Sequence, residues 1–168
     1  MDKNISNKLV KTAVIAAIYT VLTVALAPIS YGIIQFRISE VMVLLAFFNP
    51  IYIGGLTLGC LIANIFGGNG PLDIVLGSFA TFISVVAISL TAKYLKTNKF
   101  SLAIASIWPV IFNGIIIGWM LSKVSAVPFL VIMPQIAISE FIIVSIIGVP
   151  LALLVKNKYG DRLNLIKN

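Results

Sequence analysis

Residues 131–155 read VIMPQIAISEFIIVSIIGVPLALLV, an apolar run broken by one charged side chain, Glu140. At roughly 1.5 Å of helix per residue the run is long enough to cross the roughly 30 Å hydrocarbon layer of a bilayer. A carboxylate inside such a span costs roughly 3 kcal/mol or more, so it faces a protein interior and marks a ligand site or pathway. No basic residue stands near Glu140 along the run to explain it.

The same reading extends over the chain. Apolar residues make up 60% of the 168 positions and charged residues 10%, with a mean hydropathy of +1.12. There is too little polar surface to cover a water-soluble globule. Stretches at 9–28, 39–49, 51–67, 73–92, 101–121 and 131–155 read as spans, separated by Asn49-Pro50, by Gly67-Gly68-Asn69-Gly70-Pro71 and by the Lys93–Lys99 segment. The expectation is an all-α integral membrane protein, one compact bundle of six transmembrane helices filling residues 1–168 as a single domain.

Basic residues orient it. Lys3, Lys8 and Lys11 precede the first span, Lys93, Lys96 and Lys99 lie between the fourth and fifth, and Lys156, Lys158, Arg162 and Lys167 follow the sixth. These are ten of the twelve basic residues, and six spans bring all three clusters to one face. Flanking Lys and Arg stay cytoplasmic, so the expectation is a multi-pass protein of the cell membrane with both termini on the cytoplasmic side. Anionic lipid then accounts for the net charge of +7 without any nucleic acid. A cleaved signal peptide ending at Ala25-Leu26-Ala27 is the alternative for the first segment. Pro28 directly after that point and the five spans it would leave both count against it.

With this topology the polar residues gather on the outer side. Gln35 and Arg37 lie in the loop from Pro28 to Ile38, and Glu40 begins the second helix. Asn64 lies near the outer end of the third helix, Asp73 opens the fourth, Asn113 lies in the outer half of the fifth, and Gln135, Ser139 and Glu140 in the outer part of the sixth. The inner halves offer little beyond Ser and Thr, which suits an outward-facing pocket with an apolar floor better than a continuous pore. Structural readings stand beside these: Asp73 as a helix-start acid after a Gly-Pro turn, and Glu40 as an ion-pair partner of Arg37 three residues away.

Gln-x-x-Ile-Ser-Glu occurs twice, at 35–40 and 135–140, each at the start of a helix running inward. Small residues recur every four positions as Gly55, Gly59 and Ala63, as Gly114 and Gly118, and as Ala13 and Ala17, which allows close helix approach. Trp108, Phe112 and Trp119 form an aromatic stripe turned away from Asn113; Trp119, near the outer end, is also a candidate to stack on a planar ligand. With no histidine and a lone Cys60, no metal site and no intramolecular disulfide are expected. Gly67–Pro71 lacks the Gly-Lys-Ser/Thr ending of a phosphate loop, and no catalytic motif or cofactor signature is present. The chain reads as a capture subunit that depends on partners for energy, and not as an enzyme.

The residues Leu22-Thr23 through Ala27-Pro28, Ile34 to Glu40, Gly55 to Asn64 and Asp73 to Thr81 resemble the QueT family of energy-coupling-factor transporter S components. The resemblance implies uptake of queuosine precursors, deazaguanine bases, by a subunit that docks on a transmembrane coupling protein driven by two cytoplasmic ATPases. It also implies that Ala13 and Ala17 form the docking pattern on the first helix. A guanine-like edge offers adjacent N–H donors to a carboxylate, Glu140 or Glu40. The other carboxylate or Asp73 would meet an aminomethyl cation if the ligand carries one. Asn64, Asn113, Gln135, Gln35 and Arg37 would complete the polar contacts, with Trp119, Phe36 or Tyr31 over the ring faces. A subunit of the same architecture for riboflavin or thiamine, and a small membrane enzyme or assembly factor, are the alternatives.

Overall fold

A computed structural model describes residues 3–32, 35–95 and 100–159. Lys96, Lys99, Arg162 and Lys167 of the basic clusters, Ile34, and the side chain of Lys3 lie outside the described residues. All described regular structure is helical. In chain order the elements are α1 (Lys3–Ala25), α2 (Ala27–Ser30), a 3₁₀ helix (Ile38–Leu44), α3 (Leu45–Phe48), α4 (Tyr52–Phe66), α5 (Pro71–Tyr94), α6 (Ser101–Ala105), α7 (Ile107–Ser125), α8 (Phe129–Glu140), a π helix (Phe141–Gly148) and α9 (Val149–Tyr159).

Among the described residues, four helical stretches are long and apolar enough to cross a membrane: Ile5–Ala25, Pro71–Tyr94, Ser101–Ser125 and Phe129–Lys158. The expected spans at 39–49 and 51–67 fall on two shorter apolar helices, Ile38–Phe48 and Tyr52–Phe66. Outward-facing Val14, Ile18, Val75, Phe79, Ile115, Ile146 and Leu154 are all exposed, a surface suited to lipid and not to water.

Proline and asparagine set the breaks. Asn49 Oδ1 accepts the Ile51 N–H at 3.1 Å where the chain turns between α3 and α4. Pro109 has no N–H for the Ala105 carbonyl, and the α repeat lapses at Ser106 between α6 and α7. Gly70, at φ +90°, holds a conformation that L side chains rarely adopt, and delivers Pro71 to the first position of α5.

Packing follows the small residues. α1 lies on α4, α4 on α5, α5 on α7 and α7 on α8. A Cβ added at Gly59 would fall 2.8 Å from the Tyr19 Cβ and 2.9 Å from the Ala16 carbonyl; one at Gly118 would fall 2.9 Å from the Met133 Cα. The main core gathers Tyr19, Val43, Leu44, Leu56, Cys60, Val85, Ile88, Ile143 and Val144. A second cluster joins Ala80, Ile117, Met120, Ile132 and Ile136.

Both copies of Gln-x-x-Ile-Ser-Glu lead into helix that is not α. The first runs into the 3₁₀ segment that contains Glu40; the second ends at Glu140, immediately before the π segment. Residues three apart eclipse one another in a 3₁₀ helix, and Glu40 and Val43 accordingly both point inward and are buried. The π segment precedes Pro150, which cannot donate to the Ile146 carbonyl. It rests on the 3₁₀ helix through Gly148, where an added Cβ would meet Leu44 Cδ1 at 3.2 Å.

Candidate functional site

Among the described residues the buried charged side chains are Arg37, Glu40, Asp73 and Glu140. Three parts of the chain bring them to one polar region: the 3₁₀ helix with the residue before it, α5 and α8. Arg37 precedes the 3₁₀ helix in extended conformation, with φ −86° and ψ 92°. That backbone withholds the helical geometry which three-residue spacing needs, so Arg37 does not take up the expected ion pair with Glu40. Its Nη2 instead reaches Asp73 Oδ2 at 3.5 Å, Nη1 points at Cys60 Sγ at 3.9 Å, and the guanidinium lies 5.7 Å above the Tyr31 ring.

Asp73 stands in the first turn of α5, as a helix-start acid would, with its Oδ1 buried and without a hydrogen-bond partner. Its Oδ2 also accepts from Asn69 Nδ2 at 3.1 Å. Asn64 donates to the Asp73 carbonyl at 3.1 Å and to Cys60 Sγ at 3.4 Å. Gly77 makes room for that amide, since a Cβ there would come 2.5 Å from Asn64 Nδ2. Thr81 donates to the same sulfur at 3.2 Å.

Glu40 accepts the Tyr19 hydroxyl on Oε1. Glu140 accepts the Asn113 amide on Oε1 at 2.8 Å. The two motif copies touch where Ser139 Oγ donates to the Gln35 carbonyl at 3.1 Å, and Glu40, Glu140 and Arg37 lie within electrostatic reach of one another. Among the described residues, six buried polar atoms of this region have no protein partner: Gln35 Nε2, Arg37 Nε, Glu40 Oε2, Asn64 Oδ1, Asp73 Oδ1 and Glu140 Oε2. Leaving such groups unpaired costs roughly 1–3 kcal/mol each, more for charged ones.

The remaining expected residues are placed unevenly. Tyr31 donates to the Ala63 carbonyl at 2.6 Å, and burial pushes its phenol above its usual pKa, which keeps the hydroxyl a donor. Phe36 lines an apolar groove of ≈ 370 Å³ together with Pro28, Ile29, Ile38 and Ile142, Ile143 and Ile147 of the π helix. Gln135 is half-buried, one turn before Ser139. Trp119 is not brought to the site: it is 49% exposed, with the Lys123 ammonium 6.0 Å over its ring. The rest of its stripe packs elsewhere, Trp108 stacking on Phe112 at 5.6 Å and donating to Thr91. Ala13 and Ala17 lie on the exposed face of α1.

Sequence reasoning missed Tyr19, Cys60, Asn69 and Thr81. A tyrosine four residues before Thr23 within an apolar span is a usable signal, whereas a lone Cys60 signals only the absence of a disulfide.

A family model described as QueT transporter matches residues 9–157. A curated relative from Lactococcus lactis subsp. cremoris (strain MG1363), named Queuosine precursor transporter QueT, is 34% identical over 149 residues, covering 84% of this chain and 88% of its own length. No solved structure matches. The family match takes in every helix that carries a polar group of the site, from Tyr19 on α1 to Glu140 on α8, and the chain belongs to the QueT transporter family.

Proposed function

We propose that the chain is the substrate-capture subunit of an energy-coupling-factor importer, and that it binds a queuosine precursor, a deazaguanine base, in the polar region between the two motif copies. One observation carries the reading: six buried donor and acceptor atoms from four parts of the chain lack protein partners. Carboxylate oxygens suit the adjacent N–H donors of a guanine-like edge, while the Gln35 amide and the Arg37 guanidinium suit its carbonyl and ring nitrogens. Asn64 and Asn113 hold the set, Gln135 stands at its edge, and Tyr31 and Phe36 cover ring faces.

In this reading the two shorter helices complete a six-span bundle with both termini cytoplasmic. The exposed Ala13 and Ala17 face the membrane-embedded coupling subunit, and two ATPases supply the energy. Titration calorimetry on the purified protein tests the ligand class. A deazaguanine base is expected to bind at micromolar concentration or below, with riboflavin and thiamine silent; the reverse order would remove the assignment.

A further inference from the structure

The buried region is not electrically balanced. Among the described residues one buried guanidinium faces three buried carboxylates, and Arg37 is already committed to Asp73 at 3.5 Å. Glu40 and Glu140 each have one oxygen held by a neutral donor, Tyr19 or Asn113, and the other buried with no partner. A neutral donor satisfies a lone pair without cancelling charge, and a buried carboxylate persists only when it is paired.

The two carboxylates differ in surroundings. Glu40 belongs to the segment of Arg37, and its N–H donates to the Arg37 carbonyl at 2.9 Å. Glu140 contacts a neutral asparagine on α7 and faces Glu40 across the motif pair. It is the less compensated of the two.

Resting on the deazaguanine reading above, we infer that the site selects a ligand bearing a positively charged amine, which lies against Glu140, while Glu40 takes the ring edge. A ligand of this kind brings the missing positive charge with it, whereas an uncharged side group with a nitrogen lone pair would set an acceptor against a carboxylate. The preference therefore falls among bases that share one ring and differ only in the side group.

The test compares two deazaguanine bases, one with an aminomethyl group and one with a cyano group in its place, by titration calorimetry on the full-length protein in detergent micelles. The aminomethyl base is expected to bind at least about 30-fold more tightly, the scale of one hydrogen bond to a charged group. Equal affinities would overturn the inference and leave the deazaguanine reading standing; binding of neither base would remove that reading and this inference together. In Glu140→Gln the ratio is expected to collapse toward one, and the thermal midpoint of the unliganded variant reports that it is folded. A ratio unchanged in that variant would overturn the placement of the cation.

Discussion

Arg37 and Asp73 meet at 3.5 Å across the bundle, joining the segment before the 3₁₀ helix to the first turn of α5, with 5% and 0% of their side chains accessible. Removing one member strands the other as an unpaired buried charge, which typically costs about 3–5 kcal/mol. Asp73→Asn should therefore lower the thermal midpoint in detergent by several degrees or more. The double variant Arg37→Met/Asp73→Leu, which removes both charges, should be more stable than Asp73→Asn. Equal loss in both would show that the pair is not what holds these segments.

Glu40→Gln keeps an oxygen for the Tyr19 hydroxyl but turns an NH₂ group toward the ring edge of the base. Deazaguanine affinity should fall by about 100-fold, the scale of replacing a charge-assisted hydrogen-bond pair by a donor–donor contact. The thermal midpoint without ligand should shift little, which separates a binding role from a structural one.

Gly59 and Gly54 occupy the same helix with opposite margins. A Cβ at Gly59 would lie 2.9 Å from the Ala16 carbonyl, which cannot move without α1, whereas at Gly54 the nearest atom is a Thr12 methyl at 3.9 Å. Gly59→Ala is expected to destabilise by about 1–3 kcal/mol and to weaken ligand binding by shifting Tyr19 away from Glu40. Gly54→Ala should be neutral or stabilising by up to about 1 kcal/mol. Thermal unfolding of the two variants side by side checks the contrast.

Pro50, exposed at the turn between α3 and α4, decides whether the two shorter helices cross. At roughly 1.5 Å per α residue and 2.0 Å per 3₁₀ residue they extend only about 20 Å, less than a hydrocarbon layer of roughly 30 Å. In a Cys60→Ala background, Pro50→Cys is expected to react with an impermeant thiol reagent only from the cytoplasmic side, and Leu72→Cys only from outside. Labelling of Pro50→Cys from outside would make the pair re-entrant instead.

Ala13 and Ala17 lie on the exposed side of α1. Replacing both by Trp should leave base binding within about twofold, since additivity holds for groups away from the site, while abolishing uptake in cells that express the coupling subunit and ATPases. Binding lost along with uptake would place them in the bundle's own packing.

The class of the chain and its polar residues were readable from composition and spacing, because a carboxylate in an apolar span is costly wherever the span ends up. Glu40, Asp73, Glu140, Asn64 and Asn113 all proved buried. Partners were harder to read. Three-residue spacing pointed Arg37 toward Glu40, but an extended backbone at Arg37 sent it to Asp73, a contact spanning 36 positions that no local rule encodes. The hydroxyl of Tyr19 reaches Glu40 over 21 positions for the same reason. Trp119 was read by residue type; its distance from the site depends on how α7 is rotated, which the packing of Gly114 and Gly118 against Met133 and Ala137 decides.

The non-α stretches beside the two acidic residues bear on how the site takes its shape. Seven residues wound at three per turn, not 3.6, accumulate roughly 140° of extra rotation. The direction in which Glu40 points is therefore tied to the phase of the backbone through Ile38–Leu44. The π segment after Glu140 departs from the α repeat in the opposite sense, and Gly148 sets it against Leu44. Overwound and underwound helix lie side by side, like two screws of unequal pitch sharing one thread face. A change of winding in either one cannot be absorbed without turning a carboxylate, so the geometry offered to a ligand is a property of backbone pitch as much as of side-chain identity.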